Sequence, residues 1–234
     1  MEIFGSISLI LGVLAYLTLY NKTTWFGAQI WRVKTTKKVV ALTFDDGPNE
    51  PFTSEIVALL KKYDQKATFF VVGKNMERFP GVVAKTRAQG HEIGIHSYMH
   101  QFRSYFSDPT YKRQIRLAQE GFNREKIEVK HLRFPWLFRT PWLVSSSKKH
   151  GFGVPIGGYF GGPFEPFQPS GAWMASKAVK LIKPGAIIIL HDGYNAKAAN
   201  RAQTVIAAEL LLQEIVRKGY KSVTVSELLE LEKP

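Results

Sequence analysis

From residue 39 onward the chain alternates short apolar runs with stretches of helical period. Residues 39–44, 67–72, 91–96, 153–156, 186–190 and 222–225, with a less regular run at 137–139, are bounded by turn residues and read as seven short buried strands. Between them lie predicted helices. In 53–63, Thr53 can cap the first turn while Ile56, Leu59, Leu60 and Tyr63 share a face. Residues 82–89 end at Gly90, and 203–218 end at Gly219; 109–126 and 172–181 complete the set. Alternation of this kind implies a parallel sheet or barrel. There is no internal repeat and no low-complexity tract.

The N-terminal pattern differs. Residues 3–20 are eighteen uncharged, mostly apolar positions. A run of that length reaches the lower limit for a spanning helix, roughly 17–25 residues, and exceeds the apolar core of a signal peptide, about 7–15. No basic residue precedes it and no clear cleavage site follows, so residues 1–20 read as an uncleaved membrane-anchor helix. Residues 21–37 read as a linker in which Trp25, Phe26 and Trp31 mix with Lys22, Arg32 and Lys34, a composition suited to a membrane interface. Residues 38–234 then read as one domain. The positive charges after the anchor favour the cytoplasmic side for that domain.

Composition narrows the chemistry. With no cysteine there is no disulfide, no thiolate metal site and no thiol nucleophile, so any metal must be held by His, Asp or Glu. The 234-residue chain carries a formal charge of +13, which suits anionic surfaces or acidic polymers. Outside the linker the basic residues are scattered, which argues against a nucleic-acid partner.

Candidate chemistry sits where strands end. Asp45 and Asp46 leave the first strand, and Gly47-Pro48 turns the chain at once; adjacent carboxylates there need a cation or a shared proton. His96 and His100 leave the third strand four residues apart, a spacing that puts both on one side of a helical turn. Two imidazoles and a carboxylate form a divalent-metal site with positions left for water and substrate. His191 ends the very apolar run 186–190. A parallel barrel gathers such strand ends on one face.

The motifs Thr43-Phe44-Asp45-Asp46-Gly47-Pro48, His96-Ser97-Tyr98-Met99-His100, Phe138-Arg139-Thr140-Pro141-Trp142 and Leu190-His191-Asp192-Gly193 resemble those of the polysaccharide deacetylase family, also called NodB-homology or carbohydrate esterase family 4. The resemblance spans 38–231. It implies a distorted (β/α)7 barrel and hydrolytic removal of N-acetyl groups from amino sugars. It also implies a divalent metal ion, zinc foremost, with cobalt, manganese or nickel as alternatives. By the same resemblance Asp45 is the catalytic base, Asp46, His96 and His100 are the metal ligands, and His191 is the general acid. Arg139 tethers the base, the Trp142 N–H faces the oxyanion, and Ile189 lines the acetyl pocket.

One motif departs from the pattern. The family usually carries an Asp-Trp pair whose acid orients the catalytic histidine, and none occurs between Trp142 and His191. Glu165 is the only acid between Trp142 and Asp192, which makes it the candidate to hold His191, with Phe164 or Phe167 as the aromatic wall. His91, His131 and His150 match no motif and read as structural or surface residues. Trp136, Trp142, Tyr159, Phe160 and Trp173 suit either sugar stacking or core packing.

The expected partner is an N-acetylated amino-sugar polymer of the cell envelope, acted on by a monomer tethered through residues 3–20. A lipid-linked amino sugar is the alternative substrate, and a glycan-binding relative with weakened catalysis the alternative function. The resemblance favours an extracytoplasmic domain, the charge bias a cytoplasmic one.

Overall fold

The computed structural model describes residues 12–13, 24–161 and 165–232. At its centre lies β1 (Val39–Asp45), flanked by β2 (Ala67–Val71) and β5 (Ile187–His191), with β3 (Glu92–Ile95) outside β2 and β4 (Tyr159–Phe160) outside β5. A short β6 (Lys221–Ser222) pairs with the first two residues of β1. Every strand pair is parallel. All five residues of β2 and of β5 are buried, the pattern of parallel strands covered on both faces.

Helices connect these strands: α1 (Phe52–Lys62), α2 (Gly73–Arg78), α3 (Val82–Ala88), α4 (Asp108–Arg124), α5 (Pro141–Lys149), α6 (Gly171–Ala178), α7 (Ala202–Arg217) and α8 (Val225–Glu230). The main core packs the apolar faces of α1, α4 and α7, through Ile56, Leu60, Ile115, Phe122, Leu211 and Ile215, against Leu42, Phe44, Ile188 and Leu190 of the sheet. Register is what positions the chemistry. Asp45 is the Cα partner of His191 across the β1–β5 pair, so two strand ends distant in sequence present their last residues side by side.

Two predicted strands are not strands. Residues 137–139 follow a 3-10 turn at Pro135–Leu137, and the chain joins the sheet earlier, through a bridge of Leu132 to Ile95 and the Arg133 N–H to the Ile95 carbonyl, 3.0 Å. In 153–156 only Ile156 pairs, by a single bridge to Ile30, and the strand beside β5 begins three residues later at Tyr159. The predicted anchor in residues 3–20 lies outside the described residues apart from 12–13. Among the described residues no helix is long and apolar enough to cross a membrane.

Candidate active site

The C-terminal ends of β1, β3 and β5 and the loops that follow them line a cavity of ≈ 190 Å³. Asp45, Asp46, His96, His100 and His191 stand around it, and Trp136, Leu137, Phe160, Phe167, Tyr194 and Asn195 supply the remaining walls. The backbone is strained at this place. Asp46, His100, Trp136, Leu137 and Asn195 all adopt positive φ, between 50° and 73°, which L residues hold only where surrounding contacts enforce it. The chain beside Asp46 is packed tightly: a Cβ on Gly193 would lie 2.1 Å from the Asp46 carbonyl oxygen, so position 193 has room only for glycine.

Asp46, His96 and His100 each offer a ligand atom, all within 4.8 Å of one another. The Asp46 Oδ1 atom lies 3.1 Å from His100 Nε2 and 3.6 Å from His96 Nε2, and is buried without a hydrogen-bond partner. Its second oxygen accepts from the Asn195 N–H at 2.9 Å. The His96 Nδ1 donates to the Arg133 carbonyl at 3.0 Å, which fixes the tautomer and leaves Nε2 free to ligate. Burial lowers the His96 pKa to about 4 despite the nearby carboxylates, and lowers that of His100, so both rings are neutral as ligands must be. Burial opposes ionisation of Asp46, but His100, His96 and His191 with the Asn195 N–H outweigh it and hold its pKa below the usual carboxylate value. An orphaned buried carboxylate oxygen facing two neutral imidazoles is a donor set that fits a divalent cation.

Asp45 is held from the other side. Its Oδ1 receives Arg133 Nη1 at 2.6 Å, and the same nitrogen donates to Thr43 Oγ1 at 2.8 Å. Arg133 is fully buried, donates to the Ile156 and Gly157 carbonyls, and lies over the Phe70 ring at 4.1 Å. Arg139 is therefore not the residue beside the base. Its Nη1 donates to the Gly27 carbonyl at 2.9 Å, and Thr140 and Pro141 after it are the N-cap and first residue of α5. Arg-x-Pro-Trp occurs twice in this chain, at 133–136 and at 139–142. Thr-Pro in the second copy marks a helix start, a local difference between the copies that does not by itself say which arginine reaches Asp45.

Trp142 is displaced with it: its Nε1 donates to the Tyr105 carbonyl at 3.0 Å, outside the cavity lining. Trp136 of the first copy stands in the wall instead, its ring 4.3 Å from that of His100. Ile189 is fully buried in β5 and is not among the lining residues, although as the residue two before His191 it shares that face of the strand.

Glu165 holds His191 at two points. Its Oε1 accepts the His191 backbone N–H at 2.9 Å, and Oε2 makes a short contact with His191 Nδ1. Burial alone would lower the imidazole pKa, yet the charge and hydrogen bond of Glu165, aided by Asp46 and Asp45, raise it to about 9. The Phe160 ring lies parallel to the imidazole at 6.1 Å, and Phe167 stands at the mouth. Phe164 lies outside the described residues. Among the other histidines, His91 is buried against Phe69, His131 bonds Ser226, and His150 bonds its own helix, all away from the cavity.

A parallel α/β sheet whose strand ends converge on an Asp-His-His donor set, an Asp–Arg pair and a His–Glu pair defines a hydrolase-type metal site. The polysaccharide deacetylase family model matches residues 32–155, and the chain belongs to that family. It is 34% identical over 209 residues to the peptidoglycan-N-acetylglucosamine deacetylase of Bacillus cereus, covering 87% of this chain and 93% of that one. Its fold matches the Bc1960 peptidoglycan N-acetylglucosamine deacetylase with a TM-score of 0.78 at 27% identity, covering 86% and 92% of the two chains. A family 4 acetyl xylan esterase from Clostridium thermocellum, solved with a cobalt ion, matches with a TM-score of 0.71 at 28% identity over 83% and 91%. Deacetylases of this family use a divalent metal ion.

Proposed function

We propose that the protein hydrolyses the N-acetyl groups of N-acetylglucosamine-type residues in a cell-envelope glycan, with Asp46, His96 and His100 holding the metal. The observation that carries this reading is the company kept around one cavity: beside the Asp-His-His donor set stand a carboxylate tethered by Arg133 and, on the neighbouring strand end, an imidazole charged by Glu165. The bound cation supplies Lewis-acid polarisation of the amide carbonyl and acidifies water.

The remaining work falls to the chain's own residues. Asp45, oriented by Arg133, accepts the proton of the attacking water. As the carbonyl carbon becomes tetrahedral, charge grows on its oxygen, and the backbone N–H of Trp136 replaces that of Trp142 as the proposed donor. Cleavage of the C–N bond then requires a proton on the departing amine. His191 is protonated at neutral pH because Glu165 keeps it so, and it delivers that proton. Trp136, Phe160 and Phe167 offer apolar faces to a pyranose ring. The bridges at Leu132 and Ile156 support reading the sheet as a distorted barrel, in which these groups share one rim.

Release of free amine and acetate from an N-acetylglucosamine oligomer by metal-loaded protein tests the assignment. No release from metal-loaded protein that binds the oligomer would instead establish a binding-only relative.

A further inference from the structure

Beside the cavity the protein exposes aromatic side chains that the reaction does not use. The 3-10 turn Phe102–Phe106 follows His100 directly; Phe102 is 46% and Phe106 62% exposed, and neither lines the cavity. Their rings meet edge-on at 5.2 Å, and Phe102 meets the cavity residue Trp136 at the same distance. Trp142, 44% exposed at the start of α5, is tied to this turn by its hydrogen bond to the Tyr105 carbonyl.

The same helix receives the N-terminal linker. Arg139 bonds the Gly27 carbonyl, and Val144 Cγ2 lies 2.6 Å from where a Gly27 Cβ would sit. Trp25, 79% exposed, precedes this fixed point by two residues, and the uncharged apolar run 3–20 lies just upstream. Arg103 lies exposed within the turn itself, and α5, with Trp142 in its first turn, ends in the exposed Lys148 and Lys149. Aromatic side chains flanked by Lys and Arg, next to the entry point of an apolar segment, are the chemistry of a bilayer interface with anionic headgroups.

The geometry points to Phe102, Phe106 and Trp142 as a face that rests on an anionic phospholipid bilayer, opening the cavity toward amino sugars carried at the membrane surface. This rests on the deacetylase reading for its substrate and on residues 3–20 for its tether. A glycan platform is the competing use of the same rings. Phenylalanines outside the cavity, in a turn that carries the exposed Arg103 and is tied through Trp142 to the helix the linker meets, favour lipid.

The chain has no cysteine, so one can be introduced and labelled. The full chain is reconstituted in phosphatidylglycerol–phosphatidylcholine vesicles with an environment-sensitive dye at Phe106→Cys or, as control, at Val216→Cys. Val216 is 47% exposed near the end of α7, which leads the chain back toward the start of β6, away from the cavity. Brominated lipid is expected to quench the dye at position 106 by at least about twofold, with a blue shift, and to leave position 216 unchanged. Equal quenching at both positions, or none at 106, overturns the proposal. So does a shift at 106 produced by a soluble N-acetylglucosamine oligomer without vesicles, which assigns the face to glycan. Amine release from that oligomer is measured in parallel: quenching without release overturns only the deacetylase reading, and release without quenching only the membrane face.

Discussion

The Arg133 guanidinium and the Asp45 carboxylate meet at 2.6 Å in a wholly buried pair, although 88 residues separate them in the chain. A buried guanidinium that also satisfies two carbonyls and a hydroxyl is a rigid mount for an acid. Removing one partner of such a pair leaves an uncompensated charge, at a cost of about 3–5 kcal/mol.

Arg133→Lys is therefore the informative variant. It keeps the charge and loses the planar fork, and kcat on an N-acetylglucosamine oligomer should fall about 10²-fold or more while metal binding is retained. Arg139→Ala should lower the melting temperature and leave kcat within about threefold of the parent, since Arg139 bonds the linker at the Gly27 carbonyl while Arg133 is the arginine on Asp45. Equal losses of kcat in the two variants would contradict the assignment of Arg133.

Metal content separates ligands from proton carriers. Asp46→Ala and His100→Ala are expected to abolish both Zn²⁺ binding in equilibrium dialysis and activity. Asp45→Asn and His191→Ala should bind the metal as the parent does while losing turnover. Hydrolysis retained by either of the latter would remove its proposed role.

The pH profile reports the Glu165–His191 pair. The proposed general acid works only when protonated, so the His191 pKa of about 9 predicts a rate sustained through neutrality and lost as pH rises through about 9. In Glu165→Gln the largest cause raising that pKa is gone and burial, which lowers it, prevails. The alkaline limb should move below neutrality, with kcat at pH 8 down by about 10–10²-fold and metal binding intact. An alkaline limb that stays in place would show that another group charges His191.

Asp192 makes a stability prediction. It is fully buried with Oδ2 bonded to Thr53 Oγ1 at 2.6 Å, and burial raises its pKa to about 7 despite that bond. The folded state thus holds a proton that the unfolded carboxyl loses near its ordinary value of 3.8, so this group's contribution falls as pH rises from about 4 to 7 and stays low above. Asp192→Asn retains an acceptor for Thr53 without a buried charge, and should raise Tm at pH 8 by a few degrees, roughly 2–4 °C per kcal/mol, with a smaller gain at pH 5. A Tm difference independent of pH would show that the Asp192 pKa is the same in the folded and unfolded chains.

Much of this protein was legible in local pattern. The apolar runs ending at Asp45, His96 and His191 are strands because residues buried on both faces leave no polar alternation, and the acids and imidazoles mark where those strands stop. The Asp46, His96 and His100 set could be named because each lies at a fixed short offset from a strand end. Even the unusual Glu165 could be singled out, as the only acid in its stretch. The choice between Arg133 and Arg139 could not be made by motif alone: both begin an Arg-x-Pro-Trp, and which guanidinium reaches Asp45 depends on where the chain rejoins the sheet. That is decided by the pairing of Leu132 and Arg133 with Ile95, a contact across 37 residues. The contact of Glu165 with His191 has the same origin. Local sequence determines where a strand or helix begins and ends, whereas which side chains face one another follows from sheet register and loop packing, and those are properties of the folded whole.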